Sequence, residues 1–208
     1  MTFVFDIDDT ISDTDGYSEK YIEQFFIEHK IPYKKTNQNT RFAEGKFDWN
    51  EQQALYWYKV YGDEMALEFP CIKGAKELIN KLYDQGHRIV IATARETVWH
   101  NTPVLVTKLW LQKNRIKYSK LYTGRVDKEQ ICEAENADFF MDDDLKITAK
   151  VASHFAEKGK KIQSLLATTP FNKDKIPGDG VLRIQNYAQL EKYLESEGII
   201  SSEEQELN

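Results

Sequence analysis

Thr2-Phe3-Val4-Phe5 runs straight into Asp6-Ile7-Asp8-Asp9-Thr10, an apolar stretch that ends in three carboxylates. Four consecutive residues with no polar face read as a short, fully buried strand. Asp6 and Asp8 are two residues apart, the period that turns both side chains to one side of an extended segment. Working outward, the same grammar recurs. The strand predicted at Arg88–Thr93 contains Ile89-Val90-Ile91-Ala92 and gives way to Thr93-Ala94-Arg95. A weaker strand at Tyr118–Tyr122 precedes Thr123-Gly124-Arg125 and then Lys128. A strand at Asp138–Met141 is followed by Asp142-Asp143-Asp144. Further strands are expected at Lys161–Leu166 and Val181–Ile184. Helical spacing falls between them, at Lys76–Tyr83, Thr102–Lys113, Lys128–Asn136, Lys146–Lys158 and Tyr187–Glu195. Strands alternating with helices imply right-handed parallel crossovers. The expected fold is therefore α/β, a three-layer Rossmann-like parallel sheet.

The stretch 12–73 breaks the alternation. It offers helices at Tyr17–His29 and Asn50–Tyr61 around a polar, aperiodic loop at 31–46, with no evident strand. It reads as a small helical cap inserted after the first strand. The core is then 1–11 with 74–196, and 197–208 is an acidic tail. Glu195–Asn208 holds five Glu and no basic residue, as a solvated, partly frayed end would.

The whole chain has 208 residues, 41% apolar and 30% charged, a globular composition. Its 28 basic and 34 acidic residues give a net charge of −6. That disfavours a protein that works by neutralising many nucleic-acid phosphates, so no stable nucleic-acid partner is expected. No apolar run reaches the roughly 20 residues of a membrane span, and no signal peptide fits before the first acidic cluster. Cys71 and Cys132 share no metal-ligand spacing, so the chain reads as a reduced, cytoplasmic protein.

In an open α/β sheet, ligands bind beyond the carboxyl ends of the strands, where the four polar clusters fall. Asp6, Asp8 and Asp142 offer oxygen ligands for a hard cation. Mg²⁺ suits a few carboxylates supplemented by water and a phosphate. A phosphoryl group there would meet the Thr93 hydroxyl and the Lys128 ammonium, which spread charge off its oxygens. A carboxylate can take the group as an aspartyl phosphate and split hydrolysis into two easier steps. Each piece alone has a plainer reading. A D-x-D-x-T turn is often a solvated loop, Thr93 a strand residue, Lys128 a helix start, and Asp142-Asp143-Asp144 a helix cap. Their order, each at a strand end, favours the chemical reading.

With these residues in place, the chain resembles the haloacid dehalogenase-like (HAD) phosphohydrolase superfamily. Phe5-Asp6-Ile7-Asp8-Asp9-Thr10 looks like its first motif, Thr93 its second, Lys128 its third and Asp142-Asp143 its fourth. The resemblance implies that Asp6 is the nucleophile and Asp8 the general acid/base, with its backbone carbonyl on Mg²⁺. It makes Asp142 the remaining protein ligand, and Asp143 the holder of the water shell or of Lys128. Thr93, Ala94 and Lys128 would hold the phosphate. An Asp at position 8 favours a phosphatase over a dehalogenase. Asp9 stands where many members have Gly.

A narrower resemblance extends over nearly the whole chain. Pro170-Phe171-Asn172 and Arg183-Ile184-Gln185-Asn186-Tyr187 look like the C-terminal segments of the 5′(3′)-deoxyribonucleotidase family and related bacterial nucleotidases. The implied activity is Mg²⁺-dependent hydrolysis of a small phosphate monoester, a nucleoside 5′- or 3′-monophosphate. In that family aromatic residues sandwich the base. Here Phe42, Phe47, Trp49, Tyr56, Trp57, Tyr58 and Tyr61 cluster in the insert. Most would bury area within a small cap; Phe47 and Trp49, on the loop, are the candidates for stacking on a base. Arg41, Lys46 and Arg95 are candidate phosphate contacts. A phosphatase for sugar phosphates or for polynucleotide 3′-phosphate ends stays open, since Arg95 after Thr93 suits the latter. So does a non-enzymatic Mg²⁺/phosphate-binding module, though that would need neither a nucleophile nor its acid.

Overall fold

The computed structural model describes residues 1–36, 40, 43–124 and 127–201. The opening stretch forms β1 (Thr2–Phe5), which lies inside the sheet between β2 (Arg88–Thr93) and β4 (Phe139–Asp142). β3 (Lys120–Thr123) extends one side. β5 (Gln163–Ala167) and β6 (Val181–Ile184) extend the other. The order is β3-β2-β1-β4-β5-β6, and every pair is parallel. This is the expected Rossmann-like α/β sheet.

Alternation along β1 builds both faces at once. Phe3 and Phe5 pack with Leu78 and Leu82 of α4 (Ala75–Asp84), Trp110 of α5 (Pro103–Lys113) and Leu190 of α8 (Tyr187–Ser196). Val4 points the other way, onto Ile131 of α6 (Lys128–Ala134) and Val151 and Phe155 of α7 (Leu145–Glu157). A strand covered on both faces has no polar alternation to show, which is why β1 reads as a continuous apolar run. Phe5 pairs with Ile91 and with Met141, so β1 and β4 end almost level, and β2 runs two residues further to Thr93. Their first polar residues therefore share one edge.

Between β1 and β2 lie α1 (Thr14–Glu28), α2 (Ala43–Lys46) and α3 (Glu51–Glu68). They enclose an apolar cluster of their own, centred on Ile22, Phe25, Phe26, Phe47, Trp57 and Met65. The chain leaves and returns side by side. Asp13 N–H donates to the Pro70 carbonyl at 2.9 Å and Ile72 N–H to the Ile11 carbonyl at 2.8 Å. The segment expected to be loop contains the short α2 and a bridge between Lys35 and Phe47.

Helix α3 runs seven residues beyond the expected stop at Tyr61, through Gly62. A Cβ at Gly62 would sit 2.0 Å from the Trp99 carbonyl oxygen, so glycine here permits close packing and does not end the helix. The expected tail also begins later than its acidity suggests. Ile200 is buried, and the Ile199 carbonyl lies 3.0 Å from His87 Nε2, so 197–201 packs on the core. Positions 202–208 lie outside the described residues, as do Arg41, Phe42 and Arg125.

Candidate active site

Asp6 follows β1 directly and is buried. Its N–H donates to the Met141 carbonyl at 3.0 Å, which continues the β1–β4 ladder one residue into the site. Asp142 ends β4 and is fully buried, with Asp143 beside it. One carboxylate oxygen from each of Asp6, Asp142 and Asp143 falls within a 4.8 Å cluster.

Asp127 caps α6, its side chain accepting from Gln130 N–H at 3.3 Å, and so fixes Lys128 as the first helical residue. Lys128 points inward. Its ammonium donates to Asp6 Oδ1 at 2.7 Å and to Asp142 Oδ2. Asp144 caps α7 through Lys146 and Ile147 N–H. The Asp142-Asp143-Asp144 run therefore caps a helix with its last residue and brings the carboxylates of its first two to Asp6.

The electrostatics are under-compensated. Three buried carboxylates face one buried ammonium. Burial pushes the Asp6 carboxyl up to about 7; the like charges of Asp142 and Asp8 add to that, and Lys128 opposes them. Burial works against the charge of Lys128, but Asp142 and Asp6 outweigh it and hold the ammonium protonated. All the donors at this cluster are hard oxygens carrying excess negative charge. They fit a small divalent cation such as Mg²⁺, which would stabilise Asp6 in its ionised form.

Asp8 is turned elsewhere. Arg95 grips its carboxylate in a two-pronged pair, Nε to Oδ2 at 3.0 Å and Nη2 to Oδ1 at 2.7 Å. Thr14 Oγ1 adds a donor at 2.8 Å. Burial alone would raise the Asp8 carboxyl; Arg95 and Thr14 instead hold it down at about 2. The carboxylates that meet are thus Asp6, Asp142 and Asp143. The expected side-chain set of Asp6, Asp8 and Asp142 is not the one that assembles.

Asp9 has φ +55°, the left-handed region that favours Gly and tolerates Asp. Its Oδ1 accepts from Asp15 N–H at 2.7 Å, tying the turn to the start of α1. Asp9 thus gives the loop its left-handed turn without adding a carboxylate to the buried cluster.

Thr93, at the end of β2, is buried, with its Oγ1 3.4 Å from Arg95 N–H. Ala94 is exposed beside it. Of the basic candidates, Arg95 is at the site. Lys46 is buried against Asp15 in the insert and does not reach the site. Arg41 lies outside the described residues.

Phe47 and Trp49 are not an open platform. Phe47 is 2% exposed, its ring 5.5 Å from Phe26 and 6.1 Å from Trp49. The insert has few residues with which to enclose a core, and these rings are used for that. Two other aromatic side chains do face the site, Tyr58 of α3 and Trp99 of the loop after β2, with centroids 4.7 Å apart. They line a cavity of about 200 Å³ with Asp8, Arg95, Phe69 and His100. His100 Nδ1 lies 2.9 Å from the Gly62 carbonyl, which ties this loop to α3. A larger open groove of about 710 Å³ along Cys71, Lys76 and Arg115 contains none of these groups. Trp99 and His100 escaped the sequence reading because it stopped at Arg95. The rule that ligands gather beyond strand ends could have carried it on through the loop to Asn101.

No protein-family model matches the chain, and no curated protein matches its sequence. Solved structures do match its fold. The HAD-hydrolase YfnB from Bacillus subtilis, described as bound to magnesium, aligns over 93% of this chain and 98% of its own at 17% identity and TM-score 0.59. A haloacid dehalogenase-like hydrolase from Streptococcus pneumoniae gives 16% identity and TM-score 0.59, over 93% and 97%. CbbY from Rhodobacter sphaeroides, in complex with phosphate, gives 14% and 0.57, over 91% and 95%. Six parallel strands in this order, with helices inserted after the first and polar clusters at one edge, make this chain's fold that of the HAD-superfamily hydrolases.

Proposed function

We propose that this chain is a Mg²⁺-dependent phosphomonoesterase that hydrolyses a nucleoside monophosphate through an aspartyl phosphate on Asp6. One observation carries the reading: Asp6, Asp142 and Asp143 meet Lys128 in a buried cluster at the level carboxyl ends of β1 and β4. A structural ion pair would need one carboxylate. Three carboxylates around one lysine suit a cation and a phosphoryl group that arrive together.

Asp6, Asp142 and Asp143 would hold the ion. When bound, it supplies Lewis-acid polarisation of a phosphoryl oxygen. Lys128 and Thr93 donate to the remaining oxygens. Asp6 attacks phosphorus, the bond to the leaving oxygen breaks, and that oxygen takes a proton from Asp8. Water then attacks the aspartyl phosphate, its proton passes to Asp8, and the phosphorus–Asp6 bond breaks to release phosphate. Asp8 as it stands, ionised against Arg95, is the base of the second step. Its acid role in the first step needs the Arg95 pair loosened, and the phosphoryl oxygens are the anions that compete for that guanidinium.

The cavity beside Asp8 supports the choice of leaving group. It is small, largely apolar and faced by Tyr58 and Trp99, which suits one planar ring better than a polymer or a fully hydroxylated sugar. The test is a phosphate-release screen with Mg²⁺ over nucleoside monophosphates, sugar phosphates and a 3′-phosphorylated oligonucleotide. Nucleotides should lead. A screen led by sugar phosphates or the oligonucleotide would overturn the substrate assignment, and no release from any ester would overturn the phosphatase reading.

A further inference from the structure

The carboxylate cluster is held from behind by a side chain that follows β5, the strand next to β4. Asn172 lies in the turn after β5 and is 2% exposed. Its amide uses all its hydrogen-bonding capacity, two donors and two lone pairs. Nδ2 donates to the Asp143 carbonyl at 2.9 Å and to the Ala167 carbonyl at 2.7 Å. Oδ1 accepts from Thr169 N–H at 3.0 Å and from Arg183 Nη1 at 3.1 Å. Arg183, on β6, also donates to the carbonyls of Asn172 and Lys175, so its guanidinium closes the turn around the amide.

The bond to Asp143 matters for what lies at the other end of the same peptide. The unit that offers the Asp143 carbonyl to Asn172 offers the Asp144 N–H to Asp142 Oδ1, at 2.8 Å. A peptide unit is rigid and planar, so fixing its oxygen fixes the direction of its N–H. That N–H holds one oxygen of Asp142 and leaves the other, Oδ2, facing Lys128. The chain of contacts runs Arg183, Asn172, the 143–144 peptide, the Asp142 carboxylate. Each bond polarises the next.

We infer that Asn172 is a positioning residue of the cation site, setting the orientation of the Asp142 carboxylate through the 143–144 peptide, with Arg183 fixing Asn172 in turn. The inference rests on the proposed Mg²⁺ site. It gives the Pro170-Phe171-Asn172 turn and Arg183 a role in that site beyond packing. Groups that orient metal ligands from one layer out typically change metal affinity by about 10–100-fold when lost.

The test measures metal binding without turnover. Calorimetric titration of the substrate-free full chain with Mg²⁺, and Mn²⁺ titration followed by electron paramagnetic resonance, would compare wild type with Asn172→Ala. Asn172→Ser, whose hydroxyl can still donate to one carbonyl, serves if the alanine variant does not fold. Asn186→Ala is the control. Asn186 caps α8 by accepting from Gln189 N–H at 2.9 Å, so its loss should lower stability without touching the site. The Asn172 variant should bind each ion about 10–100-fold more weakly, while Asn186→Ala binds as wild type does. Affinity within twofold of wild type in a folded Asn172 variant, or an equal fall in Asn186→Ala, would overturn the inference and leave the phosphatase reading standing. Wild type that takes up neither ion would sink both.

Discussion

Replacing Lys128 by Met keeps the length of the side chain and removes the cation from the buried cluster. Lys128 is 4% exposed and donates to both Asp6 and Asp142, with Asp143 alongside. Taking one partner from a buried pair costs about 3–5 kcal/mol, because the remaining charge has neither water nor a counterion. Protonation relieves part of that cost, since burial already pushes Asp6 up to about 7. The lower end, about 3 kcal/mol, is therefore expected near neutral pH. For a chain of this length, each kcal/mol is worth roughly 2–4 °C in the midpoint, so chelator-treated Lys128→Met should melt about 6–12 °C below wild type. Mg²⁺ binds only the folded form and should return up to about 2.7 kcal/mol at a hundredfold excess over its Kd. Its stabilising shift should be larger in the variant than in wild type, because the variant has more uncompensated charge to relieve. The assay is thermal unfolding followed by circular dichroism, with chelator and with Mg²⁺. A variant that melts within a degree of wild type, with the same response to Mg²⁺, would refute the view that Lys128 is the cluster's internal counterion.

The remaining predictions concern leaving group, specificity and pH. Asp8→Asn should slow alkyl phosphate hydrolysis by about 10²–10⁴-fold and an aryl phosphate by less, because a good leaving group needs little protonation; equal losses in steady-state assays would count against the acid role. Trp99→Ala and Tyr58→Ala should each cost a nucleoside monophosphate about 1–3 kcal/mol in kcat/KM and leave glycerol phosphate nearly unchanged, whereas Phe47→Leu should lower the melting temperature without altering that ratio. Partial burial alone would raise the Glu135 carboxyl, but Lys120, Tyr122 and Arg88 hold it down at about 2. A depressed carboxyl stabilises the fold above its ordinary value of 4.5 and loses that contribution as pH falls toward 2. Both cationic partners are about half exposed, so Glu135→Gln should cost only about 1–2 kcal/mol at pH 7, a gap that closes by pH 2–3 in pH-dependent melts.

The layered sheet was legible because the central strands β1, β2 and β4, buried on both faces, show as apolar runs, and each of those runs ends in chemistry. Asp6, Thr93 and Asp142 were visible for that reason: a polar residue at the end of such a run has one edge of the sheet to occupy, and Lys128 opens the helix that follows β3. What the strand ends could not reveal was the partner of each charge. Asp6 and Asp8 look equivalent in sequence, yet one faces Lys128 and the other Arg95, because the chain turns at Ile7, whose carbonyl accepts from Thr10, Ile11 and Ser12 N–H, and the two-residue period ends there. The insert was less legible still. Its helices also carry exposed apolar residues, Tyr17 and Ile27 on α1 and Leu55, Tyr56 and Val60 on α3, so their sequences lack the clean stripe seen in α4. A cluster of rings did not tell which of them faced inward. Phe47 proved to be core and Tyr58 to face the site. Asn172 stood out in the sequence only as part of a resemblance, because the peptide group it holds is 29 residues away.

The account stands on Asp6 as the group that takes the phosphoryl. The direct measurement is phosphate release from an aryl phosphate and from a nucleoside monophosphate by wild type and by Asp6→Asn, each with Mg²⁺ and with chelator. Wild type should turn over both esters only with Mg²⁺. Asp6→Asn, folded by circular dichroism, should lose several orders of magnitude on both, because an amide cannot supply the attacking anionic oxygen. Near-full turnover by Asp6→Asn, or a wild type indifferent to Mg²⁺, would contradict it.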